Sequence, residues 1–332
     1  MFERNEMPEE MSKLLAMFDD DLTARNPGGE AMLAVGLLAA VYFAEPWRRE
    51  VREIVAQFAE DYITRWASEL CWALNPQSLS MDPFVAAEGV KPTTFSSLAD
   101  EDDAFSIAAS GASDPYGASA VHIGAFAPAL VRRDELGFIR FGCPLVPSAR
   151  SRFHLPDVLL ELCKKLRPVS GYAGMGMFTS LDSASSQRWE GPLYELAQRF
   201  PGLEMEYSIS HSIYLAEGRD GKGGIKGVNW LTAISDVWLD ELGGAAAVAA
   251  DLRDLDPRYI LHRYDGGLLI QAGDRPALGD TERDAWPDLY VKLARYLKPI
   301  RITRHSAFGS GGRGWAFGPQ EVRAWLARFD DR

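Results

Sequence analysis

Residues 222–244, KGGIKGVNWLTAISDVWLDELGG, constrain the fold of this chain more than any other segment. The centre of the segment, Val228 to Ile234, is apolar except for two residues, a composition typical of strands buried on both faces. Ser235 or Asp236 can then cap a short helix, and Gly243-Gly244 ends it. The earlier glycines precede the strand, whereas a phosphate-binding loop needs them between strand and helix. The segment therefore predicts an α/β structural unit without a catalytic motif.

The elements that follow this segment occur in an order that indicates a fold class. Tyr259 to His262 is a predicted strand, Asp265-Gly266-Gly267 a hairpin turn, and Leu268 to Gln271 the returning strand. Apolar residues from Trp286 to Leu297 recur at helical spacing, and Ile300 to Ile302 predicts a last strand. The order is thus β-α-β-β-α-β, which is that of the split βαβ or ferredoxin-like unit. We predict an α+β fold of antiparallel or mixed sheets, with helices packed largely on one side.

The N-terminal part of the chain shows a similar but less regular order. The apolar run Ala31 to Ala44 fits a buried strand or a buried helix, and the amphipathic helix that follows favours the strand. Leu203 to Leu215 is predicted to be another β-rich stretch. Because residues 31–179 can be parsed in the same order, two degenerate ferredoxin-like halves are a hypothesis. The predicted division is an N-terminal helix in 1–28, a first α+β half in 29–200, and a second half with a C-terminal helix in 201–332.

The charge of the chain limits the partners that it can bind. At 332 residues it carries a formal net charge of −12, which repels phosphate backbones and argues against a nucleic-acid binder. This acidity serves solubility, or it suits a basic partner protein. The three cysteines are widely spaced without a CxxC pair, and the longest apolar run is shorter than the ~20 residues of a membrane helix. We therefore expect a cytoplasmic protein that does not span a membrane.

No arrangement of residues predicts a metal, a cofactor or a catalytic centre. Residues 309–314 match GxGxxG, but too little chain follows for the helix, strand and acidic residue of a dinucleotide site. The five histidines lack the spacing of zinc ligands, and Asp220-Gly221-Lys222 is better explained as a turn than as part of a nuclease site. An enzyme with an unrecognised polar active site, of hydrolase type, stays open as the alternative. Polar residues with perturbed pKa values that converge in a cleft would support it.

Two stretches of the chain carry a family resemblance. GVNWLTAISDVWLDELGG and YDGGLLIQAGDRPALGD (Tyr264 to Asp280) resemble the type VI secretion immunity family that accompanies VRR-type nuclease toxins. The resemblance implies a non-enzymatic cytoplasmic antitoxin without a cofactor, which binds a cognate effector and blocks it. These motifs consist of strands, a hairpin and glycine turns, so they identify the family without indicating where a toxin docks.

Candidate partner contacts come from the residues themselves. The acidic run Asp100, Glu101, Asp102 and Asp103 lies in a long irregular segment at 75–103. Such a run is usually a solvated loop, and the alternative is a contact for a basic partner. Trp315 is either an exposed aromatic anchor, since tryptophan is enriched at interface hot spots, or a residue of the core.

Overall fold

The computed structural model of the protein describes residues 22–145, 153–181, 183–186, 189–216, 223–306 and 318–332. Within these residues the strands are β1 Thr23–Arg25, β2 Ala31–Phe43, β3 Trp72–Leu74, β4 Met81–Pro83, β5 Phe105–Ser110, β6 His122–Ala127, β7 Gly137–Cys143, β8 Ser170–Phe178, β9 Glu204–Met205, β10 Leu231–Ser235, β11 Tyr259–Tyr264 and β12 Gly267–Ala272. The α-helices are α1 Arg49–Arg65, α2 Leu155–Leu166, α3 Ser183–Ser186, α4 Glu190–Arg199, α5 Ser208–Tyr214, α6 Asp236–Glu241, α7 Ala245–Leu255, α8 Asp288–Tyr296 and α9 Pro319–Leu326.

The described strands form one sheet. Their order is β11-β12-β10-β8-β2-β7-β6-β5-β3-β4, with β1 beside the start of β2 and β9 beside β8. Every pair is antiparallel except β8 and β9. The α+β class with antiparallel pairing and packed helices is therefore confirmed.

The strand β2 lies near the middle of this sheet and is buried on both faces. Successive side chains of a strand point to opposite faces, so Leu37, Ala39 and Val41 lie in one apolar cluster while Leu38 and Ala40 lie in another. This double burial explains why the run has no polar alternation. The prediction of a strand followed by a helix is confirmed here.

Helices cover both faces of the sheet. The first cluster contains apolar side chains of α1, α2, α6, α7 and α8, and the second contains those of α4 and α9. The expectation that helices lie largely on one side holds for the five helices of the first cluster, whereas α4 and α9 cover the other face. The second layer also buries several ionisable groups, among them Glu204, His211 and Lys226.

Two local predictions had opposite outcomes. The hairpin is confirmed, since Tyr264 pairs with Gly267 across a turn in which Gly266 has φ 99°, a conformation that favours glycine. The last strand at Ile300 to Ile302 is wrong, because residues 298–300 form a 3₁₀ turn and Arg301 makes only an isolated bridge to Ile225. The position beside β10 in the sheet is taken by β8, which pairs with β10 in an antiparallel ladder.

Leu203 to Leu215 is mostly not β structure. Only Glu204–Met205 is a strand, and Ser208–Tyr214 is the helix α5, whose buried side includes His211. Near the N-terminus, β1 occupies residues 23–25 of the segment 1–28 in which a helix was predicted, and residues 1–21 lie outside the described residues. The internal duplication and the boundaries at 28 and 200 stay predictions.

Candidate functional site

The four acidic residues Asp100 to Asp103 form an exposed turn, called here the acidic turn. It precedes β5. Hydrogen bonds within the turn and from a neighbouring loop hold its backbone. The amide of Asp102 donates to Asp100 Oδ1 at 3.0 Å, and the amide of Leu130, after β6, donates to the Glu101 carbonyl at 2.8 Å. All four side chains are exposed to solvent. The turn therefore presents four carboxylates on an ordered backbone.

Arg52 of α1 lies under the acidic turn and holds it in place. The side chain is fully buried. A guanidinium has five N–H donors, and here each meets a backbone carbonyl: Pro46 at 3.1 Å, Ser97 at 2.6 Å, Asp100, Asp103 at 2.7 Å and Pro128 at 3.3 Å. Burial lowers the pKa of Arg52, while the nearby acidic side chains of the turn favour its charged form. One buried cation thus joins helix, acidic turn and the end of β6.

An exposed apolar residue lies next to the acidic turn. Val131, one residue after the Leu130 amide that binds Glu101, is 87% exposed. Beside it, Arg132 is paired with the buried Glu135 and lies over the Phe126 ring at 5.9 Å. This surface places an exposed apolar side chain next to exposed carboxylates, which suits a contact with an apolar centre and a polar rim.

The structure does not test the other candidate contact. Trp315 lies outside the described residues, as do the GxGxxG segment 309–314 and Asp220 to Lys222. In the part of the chain that is described, no group of three or more His, Cys, Asp and Glu residues could hold a metal ion. His262, expected to be a sheet residue, lies in β11.

A buried ionic cluster occupies the second face of the sheet, and we call it the polar core: Tyr42, Glu204, Glu206, His211 and Lys226. The Tyr42 hydroxyl donates to Glu206 Oε1 at 2.6 Å and lies 3.2 Å from His211 Nδ1. His211 Nδ1 and Glu206 Oε1 are 3.8 Å apart. The strand β2 thus meets the β9–α5 segment through hydrogen bonds.

Lys226 forms the other half of the polar core. Its ammonium group donates to Glu204 Oε1 at 2.6 Å, to the Tyr172 hydroxyl at 3.2 Å and to the Met205 carbonyl. The nitrogen also lies 5.0 Å from the centre of the Trp325 ring in α9. An ammonium has three donors, and all are used here, so the buried charge is compensated.

Burial sets the protonation states in the polar core. Burial and then the charge of Lys226 lower the pKa of His211, so the ring is neutral near pH 7. Burial alone would raise the pKa of Glu206, but its contact with His211, the charge of Lys226 and the hydrogen bond from the Ser208 hydroxyl lower it. The His305 ring meets that of His211 edge-on at 4.9 Å, and burial lowers the pKa of His305 too.

The polar core resembles a catalytic constellation in composition but not in placement. His211 is 0% exposed, and catalysis requires that a substrate reach the reacting atoms. A cavity of about 650 Å³ lies between β1, β2 and the connection of β5 to β6, and one of about 260 Å³ lies between α1 and α2. Neither cavity is lined by a residue of the polar core. Among the described residues, the cluster ties strands to helices and lies away from both of these cavities.

The sequence signals for these groups were present but were not recognised. Arg52 lies at helical spacing from Val55, Ala56 and Ala59 on the buried side of α1. A charged residue is rare at such a position unless hydrogen bonds or an opposite charge compensate its burial. Similarly, His211 lies on the buried side of a helix that was predicted as β structure. An ionisable residue at an apolar position of a periodic segment is the signal that would have located both.

Comparison with known proteins agrees with the resemblance in the sequence. The family model described as type VI immunity for VRR-NUC, TsiV, matches residues 54–329. The chain therefore belongs to this family of type VI immunity proteins, whose description indicates a VRR-type nuclease as the target.

Structural similarity extends over nearly the whole chain. The Pseudomonas aeruginosa T6SS protein PA0821 has a similar fold, with a TM-score of 0.79 and 23% sequence identity. The match covers 98% of this chain and 91% of that chain. None of the curated proteins compared matches the chain. Among the described residues, no helix is both long and apolar enough to cross a membrane.

Proposed function

We propose that this protein neutralises a VRR-type nuclease toxin by direct, non-covalent binding that covers the toxin's active site. The acidic turn carries this proposal. Enzymes that cleave nucleic acids need a surface that attracts phosphate, so their substrate-binding face is basic. Four carboxylates on a backbone fixed by Arg52 are complementary to such a face, and little ordering entropy is lost when they bind.

Charge complementarity acts mainly on the rate of association. A chain of net charge −12 facing a basic toxin gains long-range steering, which raises association rates by roughly 10- to 1000-fold at low salt. Tight binding also needs a buried centre, which is typically part of ~1,600 Å² of total interface. Val131 next to the acidic turn supports such a centre, and Trp315 is a second proposed contact.

The experiment measures the kinetics of binding to a catalytically inactive variant of the proposed cognate toxin. We expect the variant with Asp100→Asn, Glu101→Gln, Asp102→Asn and Asp103→Asn to associate at least tenfold more slowly at low salt, with a flatter salt dependence. The control neutralises exposed carboxylates of α6 and α7 by the same total charge: Asp240→Asn, Glu241→Gln, Asp251→Asn and Asp254→Asn. Equal association rates for the two variants would remove the acidic turn from the interface.

A non-enzymatic mode of action follows from the same proposal. The polar core has the residue types of a hydrolase, but it is buried and its lysine is fully engaged. We expect neutralisation to be stoichiometric, with one antitoxin consumed for each toxin molecule. Turnover, in which a small amount of this protein inactivates an excess of toxin, would support the enzyme alternative.

We place this activity in the cytoplasm, where a nuclease toxin meets its nucleic acid. No disulfide joins Cys71, Cys143 and Cys163, and the last two are buried, which suits a reducing compartment. Fractionation of cells that express the tagged protein tests this placement. Recovery in the periplasmic fraction would contradict it.

A further inference from the structure

A groove between α1 and α2 has the features of an anchor site for a single side chain. Its volume is about 260 Å³. The apolar lining comes from both helices and from the segment just before α2: Phe58, Tyr62, Phe153, Val158 and Leu162. Aromatic rings stiffen this floor, since Tyr62 and Phe153 meet edge-on at 6.0 Å.

The rim of the groove is charged, with more acid than base. Its carboxylates are Asp61, Asp157 and Glu161, and its cations are Arg65 and Lys165. Arg65 lies over the Phe153 ring at 5.6 Å, which places its charge against the groove wall. Glu161 is paired with the exposed Lys164 at 2.6 Å, a contact worth little in solvent. An apolar floor within a polar rim is the anatomy of a protein-binding hot spot.

The groove is also within reach of the acidic turn along the same helix. Phe58 and Arg65 follow Arg52 by 6 and 13 positions, which corresponds to roughly 9 and 20 Å along the axis of α1 at 1.5 Å per residue. An interface of about 800 Å² per partner is roughly 30 Å across. Along the helix axis, the acidic turn and the groove are therefore closer together than one interface is wide.

We propose that this groove receives one apolar side chain of the nuclease toxin, flanked by basic residues of the toxin that meet the carboxylates of the rim. The acidic turn then steers the encounter, and the groove supplies the buried contact that slows dissociation. This inference rests on the proposed function, since it names the anchor point of the same partner.

The test uses Val158→Phe, which places a ring in the groove. Val158 lies in the wall and is only partly buried, so the ring extends into the groove. The matched control is Val237→Phe in α6, where the native valine is 60% exposed. Binding of both variants to the catalytically inactive cognate toxin is measured by calorimetry. We expect Val158→Phe to raise Kd at least tenfold and Val237→Phe to leave Kd unchanged within twofold.

A second variant keeps the test decisive if Val158→Phe destabilises the fold. Asp61→Arg changes an exposed rim residue, and it places a cation where we infer a basic residue of the toxin. We expect a tenfold or larger rise in Kd with an unchanged melting temperature. Binding of Asp61→Arg within twofold of the wild type overturns the inference, whatever Val158→Phe does.

The outcomes separate this inference from the proposed function. If the wild-type protein does not bind the toxin at all, the proposed function fails and the groove inference fails with it. If the wild-type protein binds and the groove variants bind equally well, only the groove inference is overturned. Sedimentation velocity tests whether a second copy of this chain fills the groove instead. A wild-type dimer that dissociates in Val158→Phe would assign the groove to that second copy and overturn the inference.

Discussion

Replacing Arg52 tests whether one buried guanidinium holds the acidic turn. In Arg52→Met, five carbonyl acceptors lose their donor while a similar volume stays filled. The bonds to Pro46 and Pro128 are buried, and an unsatisfied buried acceptor costs about 1–3 kcal/mol. The other three acceptors are partly buried, so water replaces part of what is lost. We therefore expect the free energy of unfolding to fall by about 3–5 kcal/mol.

Two companion variants make the magnitude interpretable. An ammonium has three donors against the five of a guanidinium, so Arg52→Lys leaves at least two acceptors unsatisfied and costs about 1–3 kcal/mol. Arg49→Met lies three residues earlier and removes only the exposed pair with Glu53, for which we expect less than about 0.5 kcal/mol.

Urea denaturation gives the free energies, and binding to the inactive toxin gives the consequence for function. Arg52→Lys is the variant for binding, because it stays folded while the acidic turn is less restrained. We expect its affinity for the toxin to fall although all four carboxylates remain. A cost below about 1 kcal/mol for Arg52→Met, or an unchanged affinity for Arg52→Lys, would refute this account of the acidic turn.

Two further predictions concern the second face of the sheet. Burial lowers the pKa of His211 in the folded protein below the value of about 6.5 for a histidine in the unfolded chain. The unfolded state therefore binds more protons at acidic pH, so the free energy of unfolding is highest above pH 6.5 and falls as the pH drops below it. Between pH 7.5 and 5.5 we expect this histidine to lower the free energy of unfolding by up to ~1.4 kcal/mol. In His211→Gln the dependence of that free energy on pH should be flatter, and an unchanged dependence would contradict a buried, neutral His211. A Cβ at Gly174 would lie 1.8 Å from Asn229 Oδ1, whereas one at Gly227 meets nothing within 4 Å. Gly174→Ala should therefore lower the melting temperature by several degrees and Gly227→Ala by little, and similar values would refute the close packing of β8 on Asn229.

The sequence predicts those elements whose burial follows a simple period. The apolar run of β2, the helical spacing of α1 and the Asp265-Gly266 turn each depend on local chemistry, and each is confirmed. The helix α5 was missed because its sequence, SISHSIY, alternates like a strand. Its His211 reaches Tyr42, 169 positions away, and no local pattern contains that contact.

The candidate site was predictable only in part. The acidic run is visible in the sequence, but its ordered backbone depends on Arg52 and on the loop after β6, which are distant in sequence. The groove between α1 and α2 is likewise formed by two helices about a hundred positions apart, so its apolar residues could be read only as helix faces. Interfaces depend on shape and charge across such distances, and the family motifs, which are strands and turns, do not encode them.

The most direct test of the central claim is inhibition of the toxin in vitro. A purified VRR-type nuclease effector, the proposed cognate toxin, is titrated with this protein at toxin concentrations well above Kd, and cleavage of DNA is followed. The account predicts that activity falls linearly and reaches zero near equimolar antitoxin, with a stable complex on gel filtration. Full nuclease activity at a tenfold molar excess of this protein would contradict it.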